Sequence, residues 1–224
     1  MHSPEDIYNP PPAGPLPVIY VDDAMVVLNK PAGLLTVPGR GEAKQDCLSK
    51  RTQDVYPEAL IVHRLDRDTS GLVVMARGIV AQRAINLAFE KRQVDKCYEA
   101  VVAGLLPLSE AWQEIDLPLL VDWPNRPKRT VNYAEGQQAL TRWRCIAADT
   151  VRNCSRVELE PVTGRTHQLR VHMQALGHPM LGDTLYATPE ALALSDRLQL
   201  HARTLLIPHP VSGVQMEFHA PVPF

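Results

Sequence analysis

Short apolar segments of strand character recur along the whole chain, and they do not alternate regularly with helices. Two such runs flank Asp22 and Asp23 as in a hairpin, and Pro31 ends the second run. Further strands are predicted at 61–66, 72–76, 98–102, 140–146, 155–160, 200–207 and 214–218. Helices are predicted at 47–55, at 79–93 with an amphipathic pattern, at 167–176 with Gly177 at its C-terminal cap, and at 189–195. The stretch 118–128 is expected to be irregular. This pattern predicts an α+β fold, a mainly antiparallel mixed sheet with flanking helices.

The length of 224 residues is enough to bury a sizeable core. Five prolines crowd residues 9–17, so 1–17 is predicted to be an extended N-terminal segment, with one domain over 18–224. No apolar run is long enough to cross a bilayer, and the polar first ten residues do not resemble a secretion signal. We therefore expect a cytoplasmic protein whose four cysteines are free thiols.

The charge is distributed unevenly, although the net charge of the whole chain is only −2. Residues 126–170 hold nine Lys or Arg against four Asp or Glu. A basic stretch of this kind is compatible with a phosphate-binding face, with Arg126, Lys128 and Arg129 in a loop. An ordinary solvated surface of mixed charge explains the composition equally well.

Two polar clusters stand out as candidates for chemistry. His63 to Gly71 reads HRLDRDTSG between two apolar strands, a place where scaffolds commonly present catalytic groups. An ordinary turn built by Asp and Ser side chains is the alternative. The second cluster, 161–172, precedes a helix that Thr163 or Thr166 can cap, and its alternative is a capped helix with no further role. His167 and His172 are spaced too unfavourably to share a metal ion.

The common nucleotide-binding and hydrolase motifs are absent from the sequence. Four segments, taken together and in order, are more specific: NKPAGLLTVPG at 29–39, HRLDRDTSGL at 63–72, KCY at 96–98 and GRTHQLRVHMQALGHPMLGD at 164–183. They resemble the motifs of the RluA family of pseudouridine synthases. The resemblance extends from Val18 to the C-terminus. It is strongest to short members without an S4 RNA-binding domain, so none is expected before residue 18.

The resemblance implies a role for individual residues. Asp66 is the expected catalytic carboxylate, Arg165 the cation that pairs with it, and Tyr98 the ring that stacks on the target uracil or handles its C5 proton. Arg64 is expected to fill the space left by the flipped nucleotide. Lys30 is expected near the cleft as a substrate or RNA contact, and Leu169 is expected to contact the substrate from the apolar wall of the pocket.

The resemblance also implies an RNA partner, with uridine 746 of 23S rRNA and uridine 32 of the tRNA anticodon loop as substrates. The chemistry is internal to the substrate, so no cofactor and no metal are expected, and a monomer is assumed. Two other classes of function stay open on the residues alone. A non-catalytic RNA-binding module would not need Asp66, and a glycosidic hydrolase would pair Asp66 with Asp68 and release a free base.

Overall fold

The computed structural model of the chain describes residues 8–224. The described residues form two compact units, one from 8–95 and Thr204–Pro221 and the other from Lys96–Arg203 and Val222–Phe224. The beginning of the predicted N-terminal segment, 1–7, lies outside the described residues. The assignment of 18–224 to a single catalytic domain stays a prediction.

Strands outnumber helices, as the sequence predicts. The strands are β1 (Val18–Val21), β2 (Met25–Lys30), β3 (Ala59–Ile61), β4 (Ser70–Arg77), β5 (Asp95–Ala103), β6 (Gln113–Asp116), β7 (Leu119–Val121), β8 (Arg129–Val131), β9 (Leu140–Asp149), β10 (Cys154–Pro161), β11 (Leu200–Pro208) and β12 (Gln215–His219). The α-helices are α1 (Leu48–Gln53), α2 (Ile79–Glu90), α3 (Gln168–Ala175) and α4 (Pro189–Ala193). No helix in the described part of the chain is long and apolar enough to cross a membrane.

The first unit is a sheet covered by α2. Strand β2 pairs antiparallel with both β1 and β4, β3 pairs with the end of β4, and β12 pairs with the second half of β11. The amphipathic pattern predicted for α2 is confirmed, because Ala81, Ile85 and Ala88 are buried in the apolar core of this unit. This packing makes β4 a rigid support for the loop that precedes it.

Asp22 organises the turn between β1 and β2. Its carboxylate accepts hydrogen bonds from the backbone N–H groups of Ala24 and Met25, from the Tyr20 hydroxyl and from Nε2 of His209. Burial alone raises the pKa of Asp22, but these hydrogen bonds outweigh it and lower the pKa to about 2. The ionised carboxylate therefore stabilises the folded state.

This arrangement predicts an acid-dependent loss of stability. Because the folded pKa lies below the unfolded value, the Asp22 contribution is complete above pH ~4 and is lost as pH falls through about 2. Over this window the free energy of unfolding of wild type should fall by about 2 kcal/mol more than that of Asp22→Asn. Urea unfolding at several pH values measures both. The neighbouring exposed Asp23→Asn is the control, and an equal pH dependence in Asp22→Asn and wild type would contradict the assignment.

The second unit is a sheet in the order β5, β10, β9 and β6, in which each neighbouring pair is antiparallel. Glu99 of β5 lies directly opposite Glu158 of β10, and both are buried. Their repulsion is offset by arginines: Arg156 and Arg203 pair with Glu99, and Arg144 and Arg203 pair with Glu158. The sheet therefore carries an ion-pair network in which buried glutamates bind partly exposed arginines.

The structure corrects three details of the predicted elements. The strand expected at 61–66 ends at Ile61, because the chain leaves the ladder before His63. The stretch expected to be irregular, 118–128, contributes β7 to the β7–β8 hairpin, whose turn accommodates Pro124 and Pro127. Strand β6 has a single buried apolar residue, Ile115, among exposed polar ones, which is too little pattern for the strand to be recognised from the sequence.

Candidate active site

The loop between β3 and β4 carries the predicted catalytic residue. Asp66 is half-buried in this loop, Arg64 is exposed, and Leu65 between them is buried. His63 anchors the start of the loop, because its Nε2 accepts a hydrogen bond of 2.9 Å from the backbone N–H of Val74 on β4. Its ring also stacks on Phe89 of α2 at 5.1 Å between centroids. His63 thus accepts a hydrogen bond from β4 beyond the point where β3 ends.

The backbone on both sides of Asp66 is clamped by the segment that follows β2. The buried Thr36 hydroxyl donates to the carbonyl of Leu65 at 2.7 Å and accepts from the Leu65 N–H at 3.2 Å. The carbonyl of Arg67 accepts from the backbone N–H of Gly33 at 2.9 Å and from Nζ of Lys30 at 2.8 Å. Positions 65 and 67 are therefore held by long-range hydrogen bonds, and Asp66 lies between them.

Lys30 binds backbone carbonyls from within the protein. It is fully buried, and its ammonium also donates to the carbonyls of Pro31 at 2.9 Å and Leu34 at 2.7 Å. Burying a charge is tolerated only when its hydrogen-bonding groups are satisfied, and three carbonyls meet that condition here. Lys30 therefore holds the 30–34 turn against the loop that carries Asp66, and its expected contact with substrate or RNA stays a prediction.

Asp68 forms an ion pair with the residue before it in the same loop. Its two carboxylate oxygens accept from Nε and a terminal nitrogen of Arg67, at 2.8 and 3.1 Å. The Asp68 carboxylate is therefore engaged by the neighbouring Arg67.

In the second unit, one buried amide shapes the turn that carries Arg165. Oε1 of Gln168 accepts from the Thr163 hydroxyl at 2.7 Å and from the backbone N–H of Arg165 at 3.0 Å. Its Nε2 donates to the Leu140 carbonyl and the Thr141 hydroxyl. Arg165 itself is exposed, and its Nε donates to the Gln138 carbonyl at 3.1 Å. Gln168 therefore positions the backbone of the predicted arginine.

The predicted helix following this turn is confirmed as α3, but its cap is not the one expected. The residue before α3 is His167 in a left-handed conformation, with φ of 57°, and no side chain caps the helix. The Thr163 hydroxyl is directed to Gln168 instead. Gly177, with φ of 83°, follows the helix as predicted, since a left-handed residue there suits glycine.

Tyr98 and Leu169 are both buried in the second unit. Tyr98 lies on β5 opposite Leu159 of β10, with only 8% of its surface exposed. Leu169 lies in the first turn of α3 and is 6% exposed. The burial of Leu169 agrees with the apolar character expected for a pocket wall. The catalytic role of Tyr98 and the place of Leu169 in the pocket wall stay predictions.

A second hydrogen-bond network links α3 to the β7–β8 hairpin. The Tyr186 hydroxyl accepts from the backbone N–H of Arg129 at 2.8 Å and shares a hydrogen bond of 2.7 Å with Nδ1 of His167. Asp183 accepts two hydrogen bonds from the buried Arg170, at 2.6 and 2.8 Å. It also accepts from the N–H of Tyr186. The base of the hairpin is thereby connected to the Arg165 turn.

Breaking the Arg170–Asp183 pair should destabilise the protein strongly. Both side chains are at least 98% buried, so Asp183→Leu would leave the guanidinium without a counter-charge in the interior. The expected loss is about 3–5 kcal/mol in the free energy of unfolding, measured with urea. Asp54→Asn, in an exposed pair with Lys50, is the control and should change little. A loss in Asp183→Leu no greater than in the control would show that the pair does not hold this region.

The three basic residues predicted to contact RNA lie at the β7–β8 hairpin. Arg126 is exposed in the turn, whereas Lys128 and Arg129 are half-buried. The Arg126 guanidinium lies 3.9 Å above the ring of Trp123, which is itself 62% exposed. The Nε of Arg129 is buried and has no hydrogen-bond partner among the described residues. The hairpin therefore presents an aromatic ring together with positive charge.

The wider basic stretch does not form one free phosphate-binding face. Four of its arginines are paired with acidic residues, in the pairs Arg142–Glu160, Arg144–Glu158, Arg156–Glu99 and Arg170–Asp183. Glu99 and Asp183 lie outside the stretch, so a local count of charges misses part of this neutralisation. The positive surface of the stretch is consequently narrower than its composition suggests and includes the hairpin.

The structure also describes the thiols and the possible metal ligands. All four cysteines are free, as expected, and burial raises the pKa of the Cys97 thiol to about 12. A thiol with so high a pKa is a poor nucleophile near neutral pH. Within residues 8–224, no cluster of three or more His, Cys, Asp or Glu has an arrangement suited to a metal ion.

Three residues that organise these sites are missed by sequence reasoning. Thr36, Gln168 and Tyr186 each act through partners that lie elsewhere in the chain. Thr36 and Gln168 lie within two of the motifs quoted above, and this location is the sequence signal that could have identified them. Nothing local distinguishes Tyr186 from an ordinary core tyrosine.

Comparison with known proteins agrees with this geometry. The family model described as RNA pseudouridylate synthase matches residues 24–175. The chain is 50% identical over 219 residues to proteins named "Dual-specificity RNA pseudouridine synthase RluA" from Salmonella typhi and Escherichia coli K12, covering 97% of this chain and 98% of theirs. A protein of that name from Vibrio cholerae is 47% identical over 205 residues, covering 92% of this chain and 82% of its own length.

Solved structures show the same relationship. Human RNA Pseudouridylate Synthase Domain Containing 1 superposes with a TM-score of 0.77 at 28% identity, covering all of this chain and 87% of that protein. Human RNA Pseudouridylate Synthase Domain Containing 4 has a TM-score of 0.71 at 24% identity over 92% of this chain and 88% of its own, which supports the fold. The expected fold class is confirmed, and the non-catalytic and hydrolase alternatives are set aside. This chain belongs to the RNA pseudouridylate synthase family, in its RluA group, and is an RNA-modifying isomerase.

Proposed function

We propose that the protein converts one uridine of 23S rRNA, uridine 746, and one uridine of the tRNA anticodon loop, uridine 32, to pseudouridine. The proposal is supported by the identity of 50%, over almost the full length, with relatives whose name states dual specificity for RNA. Two RNAs can share an enzyme when a common loop shape, rather than a long sequence, is recognised. A cytoplasmic location and a monomeric state belong to the same proposal.

The proposed reaction breaks the C1′–N1 glycosidic bond, rotates the uracil and joins its C5 to C1′. The proton on C5 is lost and N1 gains one, so substrate and product are isomers. Asp66 is the proposed catalytic carboxylate, either as nucleophile at C1′ or as base at the 2′ position. The observation that carries this assignment is the clamp on both sides of Asp66 by Lys30, Gly33 and Thr36. Such support preorganises a group for catalysis.

The remaining residues complete the proposal. Arg64, exposed in the same loop, enters the space that the flipped nucleotide leaves in the RNA stack. The pairing of Arg165 with the catalytic carboxylate, the role of Tyr98 at the uracil and that of Leu169 in the pocket wall are carried over from the resemblance. Arg126, Lys128 and Arg129 bind RNA at the hairpin, and an RNA oxygen or a water that reaches Nε of Arg129 would satisfy this buried donor.

The test is a pseudouridine map of RNA from cells that lack this protein, with and without re-expression, made by carbodiimide treatment and primer extension. We expect both sites to lose pseudouridine and to regain it with wild type but not with Asp66→Asn. Loss at a different uridine would keep the chemistry and overturn the substrates. An unchanged map would overturn the proposed function in the cell.

A further inference from the structure

An exposed tryptophan lies at the tip of the β7–β8 hairpin. Trp123 is 62% exposed, and the guanidinium of Arg126 lies 3.9 Å above its ring. A large aromatic surface left in water is unfavourable and often marks an interaction site. The stacked arginine covers one face of the ring and adds a positive charge beside it.

The tip that carries Trp123 is held firmly by short-range hydrogen bonds. The N–H of Asn125 donates to the Asp122 carbonyl, the N–H of Lys128 to the Asn125 carbonyl, and the N–H of Asp122 to the Lys128 carbonyl. Nδ2 of Asn125 donates to both carboxylate oxygens of Asp122 at 3.1 and 2.9 Å. Because the turn is already ordered, little of its conformational entropy is lost when a partner binds.

The charges of the tip indicate which kind of partner it suits. The Asp122 carboxylate is occupied by Asn125, whereas neither Arg126 nor Lys128 forms an ion pair with another described residue. An apolar protein surface would have to bury the Arg126 charge without compensation. An unpaired RNA base offers a flat π face to the indole, and its phosphates offer negative charge to the two cations.

We propose that Trp123 is a stacking platform for an unpaired base of the substrate RNA loop, with Arg126 and Lys128 contacting the neighbouring phosphates. This inference rests on the proposed function and adds a binding residue to it. The platform is a binding element separate from the chemistry, so its loss should weaken binding more than it slows the chemical step.

The hairpin is connected to the turn that carries Arg165. Arg129, at the start of β8, donates its backbone N–H to the Tyr186 hydroxyl, which is also bonded to His167, two residues beyond Arg165. A base held on Trp123 would thus be bound at a defined position relative to Arg165. The stacking contact therefore helps to select loops of a particular shape, in addition to raising affinity.

The experiment uses the full chain with two synthetic stem-loop RNAs, one from the tRNA anticodon arm and one from the 23S rRNA site. Affinity and the single-turnover rate at saturating RNA are measured for wild type, Trp123→Ala and Trp123→Phe. We expect Trp123→Ala to raise Kd about fivefold or more, Trp123→Phe to restore most of the affinity, and the single-turnover rate to change less than twofold. Val151→Ala, at an exposed apolar position of the same unit, is the control and should bind as wild type does.

Tryptophan fluorescence provides a second readout. RNA should quench the emission of Trp123, and Trp123→Phe should abolish that quenching. Trp112→Phe is the matched control, because Trp112 also lies under arginines, Arg142 and Arg144, and should leave the quenching intact.

A Kd for Trp123→Ala within twofold of wild type would overturn the proposed stacking, and so would quenching that persists in Trp123→Phe. A change of oligomeric state in Trp123→Ala would overturn it as well, because it would identify the tip as a contact between copies of the chain. Wild type that binds these RNAs but forms no pseudouridine in them would overturn the proposed substrates instead. Wild type that binds neither RNA would overturn both proposals.

Discussion

Asp66→Asn is expected to reduce pseudouridine formation by about 10⁴-fold or more in single-turnover assays, with Kd for the RNA nearly unchanged. An amide of the same shape cannot act as an anionic nucleophile or base, so the chemical step is lost. The two synthetic stem-loops, with product measured after nuclease digestion, provide the assay. A parallel urea titration of Asp66→Asn should give the same free energy of unfolding as wild type.

The stability should be preserved because the loop is held by its backbone. Thr36 binds the N–H and carbonyl of Leu65, and Lys30 and Gly33 bind the carbonyl of Arg67. None of these hydrogen bonds uses the Asp66 side chain. The substitution therefore separates chemistry from folding.

Asp68→Asn is the matched control, two residues further along the same loop. Its carboxylate pairs with Arg67, and a partly exposed pair of this kind contributes little. Asp68→Asn should retain activity within a few-fold of wild type. Equal losses in the two variants would contradict the assignment of catalysis to Asp66, and a folded Asp66→Asn with wild-type activity would refute it.

Lys30→Met is expected to lower both activity and stability, although Lys30 touches no solvent. Methionine fills a similar volume but cannot donate to the carbonyls of Pro31, Leu34 and Arg67. Leaving such acceptors unsatisfied should cost on the order of 3 kcal/mol in the free energy of unfolding. Release of the loop should lower the single-turnover rate by about 100-fold, the effect of a small misplacement of a catalytic group.

The measurement combines urea unfolding with single-turnover kinetics at saturating RNA. Lys50→Met is the matched control, because Lys50 is exposed and pairs with Asp54 on the surface of α1. It should change neither quantity appreciably. If Lys30→Met lost RNA affinity but kept its rate and stability, Lys30 would be an RNA contact, as the sequence first suggested, and the positioning role would be wrong.

The Asp66 loop and the Arg165 turn, one in each unit, are built on the same principle. In the first unit, buried side chains bind the backbone around Asp66. In the second, Gln168 binds the backbone N–H of Arg165 from within the core. In each case a polar group with a long-range partner sets a short turn, and the functional side chain itself remains less buried. A surface loop is thereby held in position as precisely as a segment of the core.

The local pattern of the sequence was enough to predict much of the fold. The β1–β2 hairpin, the buried face of α2 and the glycine after α3 follow from periodicity and turn chemistry, which depend on neighbouring residues. The resemblance of four ordered motifs was enough to predict the family, because their combination is specific even where each motif is not.

Only the tertiary structure decided what several polar residues do. The sequence shows that Lys30 is charged, but the carbonyl of Arg67 that binds it lies 37 positions away. It shows nine basic residues in 126–170, but Glu99 and Asp183, which neutralise two of them, lie outside that stretch. The sequence alone therefore determined the elements and the family, because periodicity and motifs are local. The folded chain determined burial and partners, because these depend on residues brought together from distant positions.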